Sequence, residues 1–460
     1  MGSISESNGI WEDVYGHWPQ LKTYNHGCAI YNATGVPRQA IIDEWTAATE
    51  KLIAQIPWLA QQVVNTGASE GDSGRYHVAP WPKNLPSNSL LRIKDCTDLL
   101  PSYQELKAAQ FPIQMLDGSV LCPVPGFPMS YDESKIGPAP ACLIQLNFIK
   151  DGVIINVSNQ HNVMDGTGIF NVLGMLADLL NGQELSKETV KQGNRDPATI
   201  TQLYPPGTPI KDFSHMRGTI LRQNPKPPAP DVKTPPKWRA VRFLKGAAQQ
   251  IKALADDKSN GYDPNVPFIS SGDAVSAFYW QSLIKTRVAL GAPPDSRGKF
   301  SRSIDPRKAL GVPNTYMGQM VTFVATYLTY QEICEAKLPA LTTLLRKNLN
   351  EANTEFSARS YATFLAGEKD KSKLAYGGPF NLSTDIGSSS MAQAALVLNF
   401  GLLGQPDFIR RPNLMPIPGV LYFYPPEKSG DMNLLVCLSD EEIQGLQNDA
   451  MMGKCIEVIG

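Results

Sequence analysis

Five histidines, at positions 17, 26, 77, 161 and 215, are the side chains of this chain best suited to moving protons near neutral pH. His161 stands apart by its setting. It follows the apolar run 153–160, opens the hexapeptide His161-Asn162-Val163-Met164-Asp165-Gly166, and precedes a segment with helical spacing. A side chain at such a strand-to-helix corner sits on a rigid element and projects past the sheet edge, where a general base can meet a substrate. Asp165, four residues on, can cap the following helix or pair with a cation, while Gly166 lets the backbone turn tightly. The same pattern also suits a buried, hydrogen-bonded histidine beside a helix cap, so on its own it leaves both readings open.

Other chemistry finds less support. Gly67-Ala68-Ser69-Glu70-Gly71 matches the G-x-S-x-G nucleophile elbow, but that motif needs a helix directly after the serine. Here Gly71-Asp72-Ser73-Gly74 follows, which reads as an exposed loop. The other four histidines have no ligand-like partners at usable spacing, and no metal site is expected. Neither a G-x-G-x-x-G nor a Walker loop is present. The seven cysteines, at 28, 96, 122, 142, 334, 437 and 455, form no C-x-x-C pair and are odd in number, which reads as reduced thiols in a cytoplasmic protein. The start of the chain lacks the basic and apolar regions of a secretion signal, and Glu6 occupies the position where myristoylation needs Ser or Thr. The sequons at Asn32, Asn156 and Asn381 are then chance matches.

Mixed strands and helices position these residues. Gly27–Tyr31 reads as a strand, and Pro37 opens a helix with Ile41, Trp45, Ala48 and Leu52 on one face. Residues 142–149 and 153–160 form a hairpin across Lys150-Asp151-Gly152, and Gly168–Leu180 is an amphipathic helix stopped near Gly182. From Tyr204 to Pro236 the chain is Pro-dense and predicts a crossover linker with little packed core. Beyond it come a strand at 238–244, a helix from about Ala247, a long helix at 273–290 and a helix beginning near Pro339. Further strands are expected at 320–328, 395–400 and 420–425. This is a mixed α/β pattern in two similar-sized units, 1–203 and 237–460, joined by the linker 204–236.

Composition narrows the partners. With 460 residues the chain exceeds one small domain, and 42% hydrophobic with 18% charged residues is ordinary for a globular protein. Its 42 basic and 43 acidic residues nearly cancel, which removes the electrostatic drive toward nucleic acid. No stretch approaches the roughly 18 apolar residues of a membrane span. A small-molecule or protein partner is expected.

Four segments raise the standing of His161: PACLIQLNFIKDGVIINVSNQHNVMDGTG (140–168), ISSGDAVSAFYW (269–280), SIDPRKALG (303–311) and LNFGLLGQPDFIRRP (398–412). In this order they resemble the BAHD-type acyl-CoA-dependent acyltransferases, in particular the fungal branch around trichothecene 3-O-acetyltransferase. The resemblance implies two chloramphenicol-acetyltransferase-like domains joined by a long crossover, with the histidine midway along a channel between them. It assigns His161 as the base that takes a proton from an acceptor hydroxyl or amine and returns one to the departing CoA thiolate. Asp165 matches an aspartate that pairs with an arginine, here Arg307, and supports the site rather than the chemistry. The oxyanion donor falls on Ser388, with Ser389 as the adjacent alternative. The family's DFGWG-like motif appears as Asn399-Phe400-Gly401-Leu402-Leu403-Gly404, without its aspartate and tryptophan. Gln160 stands where peptide-synthetase condensation domains usually carry a second histidine, which favours CoA over carrier-protein thioesters.

The implied activity is transfer of an acyl group, acetyl first among them, from CoA as co-substrate to a hydroxylated secondary metabolite, with no tightly bound cofactor, by a monomer. Ser270, Ser271 and one of Arg410 and Arg411 are the expected CoA contacts. A cyclase or other acid/base enzyme of the same fold that uses no CoA, and a non-catalytic binding protein, are the competing readings.

Overall fold

The computed structural model describes residues 10–217, 231–392 and 398–460. The first unit is built on the strands β1 (Tyr24–Asn32), β2 (Leu91–Asp95), β3 (Cys142–Ile149) and β4 (Gly152–Gln160), with helices α1 (Arg38–Gln55) and α2 (Gly166–Leu180). The β3–β4 hairpin turns through Asp151, which adopts a positive φ of 60° and pairs Ile149 with Gly152. Every residue of β3 and β4 is buried, because both faces of their sheet are covered. Ile144, Val153, Ile155 and Val157 pack with Trp45 and Leu52 of α1 and Val172 and Leu176 of α2. Ile154 and Ile30 pack on the other face with Leu106 and Phe111. Alternate residues of each strand thus serve two cores, which explains why these strands read as apolar runs.

The second unit is a seven-stranded sheet. Its elements are β5 (Lys237–Phe243), α3 (Lys245–Ala255), α4 (Ser271–Ala289), β6 (Arg297–Ile304), β7 (Thr322–Thr329), α5 (Leu338–Ala352), β8 (Ile386–Ser390), β9 (Phe408–Arg410), β10 (Val420–Tyr424), β11 (Met432–Leu438), α6 (Asp440–Asn448) and β12 (Ile456–Val458). Strand order is β7-β6-β8-β10-β11-β5-β12, with β8 parallel to both β6 and β10. The helix α4 lies on one face, its Trp280 against Phe300 of β6.

The remaining strand, β9, leaves this sheet and pairs antiparallel with β1, giving the first sheet the order β9-β1-β4-β3-β2. Residues 237–460 are therefore not closed on themselves, since this unit lends a strand to the other. A shared cluster reinforces the seam: Tyr15 and Trp18 pack with Phe213, Met216, Tyr316, Met320, Tyr361 and Leu374. Phe213 and Met216 belong to the expected linker, so its described part is packed rather than free of core; residues 218–230 lie outside the described residues.

Two local expectations also change. The Ser69 motif is the turn between strands Gln62–Thr66 and Arg75–Ala79, so the coil expected after it starts with a strand. Of the strand expected at 395–400, residues 395–397 lie outside the described residues, and 398–400 carry no strand. All seven cysteines are free thiols. Among the described residues no helix is long and apolar enough to cross a membrane.

Candidate active site

His161 begins the loop at the end of β4, its backbone N–H bonded to the Thr23 carbonyl at 2.8 Å. The loop is stiffened on both sides. The Asn162 side chain donates to the Gly16 and Trp18 carbonyls at 2.5 and 2.8 Å, and the Asn159 side chain donates to the Met164 carbonyl at 2.6 Å. Tyr376, from the second unit, sets its ring edge-on to the imidazole at 6.4 Å between centroids. Burial lowers the His161 pKa from 6.5 to about 4, a shift opposed by the backbone of His161 and Met164 and by the Gln319 side chain. The ring is therefore neutral at physiological pH, the form in which it accepts a proton.

Asp165 turns away from the histidine. It is the N-cap of α2, accepting from the Gly168 N–H at 3.0 Å. Its other oxygen accepts from the Met320 N–H at 2.9 Å, and both oxygens meet Arg307 at 3.0 and 2.9 Å. Arg307 also donates to the Tyr316 and Gly318 carbonyls at 3.1 and 2.6 Å. Asp165 and Arg307 are 2% and 0% exposed, so this pair is fully inside the protein. Burial pushes the Asp165 carboxyl up while Arg307 draws it back down. The pairing expected between the histidine loop and the second unit is present, and it clamps residues 316–320 against that loop.

The glycine that this packing demands is Gly168 rather than Gly166. A Cβ on Gly168 would sit 2.2 Å from the Met317 carbonyl oxygen, whereas one on Gly166 would meet only Met391 Cγ, at 3.8 Å. The H-x-x-x-D-G pattern drew attention to the wrong glycine, because the close approach comes from a segment about 150 residues later.

Ser388 and Ser389 lie on opposite faces of β8. Ile386, two residues before Ser388, belongs to the helix-side core, and Arg302, beside Ser388 in β6, reaches Asp273 of α4 at 2.8 Å. Strand alternation therefore turns Ser388 toward α4. Ser389 shares its face with Met391, the residue nearest Gly166, and with its neighbour Tyr422, which stacks on Trp238. By strand alternation it is Ser389, the alternative, and not the expected Ser388 that shares the face of Met391, whose side chain a Cβ on Gly166 would meet.

The expected CoA contacts change as well. Arg410, 2% exposed, pairs with Glu427 at 3.2 Å and donates to the Phe111 carbonyl. Arg411 lies 4.3 Å from the Trp238 ring and donates to the Phe127 carbonyl. Both arginines hold the two sheets together and are not available to phosphates. Ser270 caps α4 in a capping box with Asp273 and also bonds Arg346, which commits its hydroxyl; Ser271 is the first helical residue beside it.

Asn399 exchanges hydrogen bonds with Asn181 at the end of α2. Gly401 has φ 55°, and any Cβ there would collide with the Glu44 carboxylate, which accepts from the Leu402 N–H. Phe400 stacks on Trp45 at 6.0 Å. This motif docks the second unit onto α1 and α2, using shape and hydrogen bonds where the family pattern has a charge. A cavity of about 530 Å³ abuts the far side of the loop; Asn162, Val163, Gln319, Trp58 and His17 line it, and His161 does not. Among the described residues no cluster of His, Cys, Asp or Glu could hold a metal ion.

Two interlocked mixed α/β units, with a neutral histidine at their seam and its aspartate held in an inter-unit ion pair, are the arrangement expected of a BAHD-like acyltransferase. A model described as the Trichothecene 3-O-acetyltransferase-like N-terminal domain matches residues 23–179, and one described as the Transferase family matches residues 127–452. The chain belongs to the Transferase family. It is 39% identical over 459 residues to O-acetyltransferase epaC of Aspergillus niger, covering 99% of this chain and 98% of the relative. It is 38% identical to O-acyltransferase pigD of Monascus ruber, covering 98% of each. The crystal structure of Fusarium sporotrichioides TRI101 complexed with coenzyme A and T-2 superposes with a TM-score of 0.87 at 28% identity, over 99% of this chain and 100% of that one.

Proposed function

We propose that this enzyme transfers an acyl group, acetyl first among them, from coenzyme A to a hydroxyl of a small secondary metabolite, with His161 as the general base. The observation that carries the reading is the placement of His161: neutral, at a strand end, at the seam of the two units. Neutral His161 takes the hydroxyl proton as the oxygen attacks the thioester carbonyl. The resulting tetrahedral oxyanion needs a donor, and Ser389 is the hydroxyl turned to that side. Collapse expels the CoA thiolate, to which the imidazolium returns the proton. Both substrates react directly, so no acyl-enzyme forms. Coenzyme A in the TRI101 complex and the O-acetyltransferase and O-acyltransferase names of the relatives support CoA over the cyclase reading. Action in the cytoplasm is part of the same proposal, supported by the seven free thiols; action as a monomer is part of it too, on the family resemblance alone.

The test is acetyl-CoA turnover with a panel of hydroxylated metabolites, followed by thiol release and product mass. His161→Ala should fold normally and lose at least about 10²-fold in turnover, as expected when a general base is removed. Near wild-type transfer in that variant would refute the mechanism. Product formed by the wild type without any thioester would establish the cyclase reading instead.

A further inference from the structure

The two residues that flank His161 are bonded to each other. The Asn162 backbone N–H donates to the Gln160 carboxamide oxygen at 2.7 Å, and the Gln160 carboxamide nitrogen donates to the Asn162 side-chain oxygen, also at 2.7 Å. The Asn162 amide nitrogen in turn donates to the Gly16 and Trp18 carbonyls at 2.5 and 2.8 Å. A backbone carbonyl only accepts and a backbone N–H only donates, so these bonds fix which end of each amide is which. Both side chains are buried, Asn162 at 2% exposed and Gln160 at 1%.

The segment that receives Asn162 is itself anchored. The Tyr15 hydroxyl donates to the Ala358 carbonyl at 3.1 Å, His17 Nδ1 accepts from the Tyr76 N–H at 3.2 Å, and Val14, Tyr15 and Trp18 sit in the core shared by both units. A Cβ on Gly16 would lie 2.1 Å from the Asn162 carbonyl oxygen, so the two backbones touch with no room for a side chain. Trp18 also sets its ring edge-on to Tyr376 at 5.4 Å between centroids, and Tyr376 is the ring that flanks the imidazole. Residues 14–18 thus hold His161 through its backbone and, by way of Tyr376, from beside its ring.

We infer that Asn162 is a positioning residue for His161, and that Gly16 and Trp18 of the N-terminal segment act on catalysis through it. The Asp165–Arg307 pair holds the other end of the same loop, so the imidazole is carried on a loop fixed at both ends. Without the Asn162 amide, the peptide that follows His161 loses its anchor, and a misplacement of about 1 Å at the reacting atoms is enough to cost about 10²-fold in rate. The inference rests on His161 being the general base. Because Asn162 acts on the aim of the base and not on the thioester, its loss falls on kcat and not on acetyl-CoA binding.

Asn162→Leu, close in size but without a donor or acceptor, tests it. Its kcat should fall about 10²-fold with KM for acetyl-CoA unchanged. Calorimetric titration with coenzyme A should give the wild-type stoichiometry, which shows that the chains are folded and bind. Gly16→Ala, whose new Cβ pushes on the Asn162 carbonyl, should show the same split between kcat and KM, and Gln160→Leu a milder one. A kcat in Asn162→Leu within about twofold of wild type overturns the inference. So does a kcat loss matched by an equal loss of chains that bind coenzyme A, because the amide then serves stability alone. Should Asn162→Leu fail to fold, Gly16→Ala and Gln160→Leu decide it, and wild-type kcat in both overturns it. If His161→Ala keeps its activity, the general-base reading itself has failed, which is a separate outcome.

Discussion

Replacing Asp165 by Ala leaves the Arg307 guanidinium, whose side chain is 1% exposed, without the carboxylate it meets at 2.9 Å. Arginine cannot lose its proton to escape the penalty. Its remaining partners are the carbonyls of Tyr316 and Gly318 and the half-exposed Asp305. Stranding one member of a buried pair costs about 3–5 kcal/mol. Loss of the cap on the Gly168 N–H adds about 1 kcal/mol. Against a total stability of about 5–15 kcal/mol this is a large share, and it should appear as a marked fall in the urea midpoint. Arg307→Met keeps the stem volume and strands Asp165 instead, but a carboxyl can take up a proton. With Arg307 gone, burial holds the native pKa of Asp165 above its unfolded value, so the folded state binds a proton that the unfolded state releases. The sign follows: the defect of Arg307→Met is greatest at high pH and relieved as pH falls through that native pKa. Asp165→Ala has no such relief. Measured as differences from wild type at about pH 8 and about pH 5.5, only the Arg307→Met deficit should shrink. The double variant should be less damaged than the sum of the singles by about 2 kcal/mol, because neither charge is left unpaired. Strict additivity, or deficits that do not respond to pH, would show that the ion pair does not bear the load assigned to it.

Three further outcomes are expected. Ser389→Ala should lower kcat by about 10²–10³-fold with little change in KM for the acceptor, as for a lost oxyanion donor; the reverse pattern, with Ser388→Ala the damaging change, would restore the register expected from the motif spacing. Gly168→Ala should lower the melting temperature and activity together because its Cβ meets a carbonyl oxygen at 2.2 Å, while Gly166→Ala is tolerated; equal stability of the two would contradict the packing. His17, His26 and His161 are each lowered to about 4 by burial, so stability is full above their unfolded pKa of 6.5 and lost as pH falls from there toward 4. A pKa difference of that size is worth about 3 kcal/mol per histidine. A urea midpoint that stays flat across this window would refute the burial of these rings, and His26→Gln should lessen the slope by about one proton.

The local elements of this protein are written in short-range patterns. The hairpin of β3 and β4, the helix after Pro37, the long α4 and the strand β10 follow from apolar runs, helical spacing and turn residues that act within a few positions of themselves. The corner position of His161 follows from the same signals, and its pairing of Asp165 with Arg307 from a motif order spread over the chain. Both were legible because they depend on neighbours in sequence or on a pattern shared with the family.

What was not legible depends on contacts between distant segments. Which of two adjacent serines faces the histidine is decided by which face of the second sheet α4 covers, and a run of three serines carries no apolar alternation to reveal it. Arg410 and Arg411 look like free cations in a Pro-flanked segment, yet β9 crosses into the first sheet and buries both between the units. Gly168 is required only because the Met317 carbonyl arrives there. Periodicity reports burial, not what does the burying: the residue types of the site come from the chain itself, while their partners and the faces they present are set by how the two units close on one another.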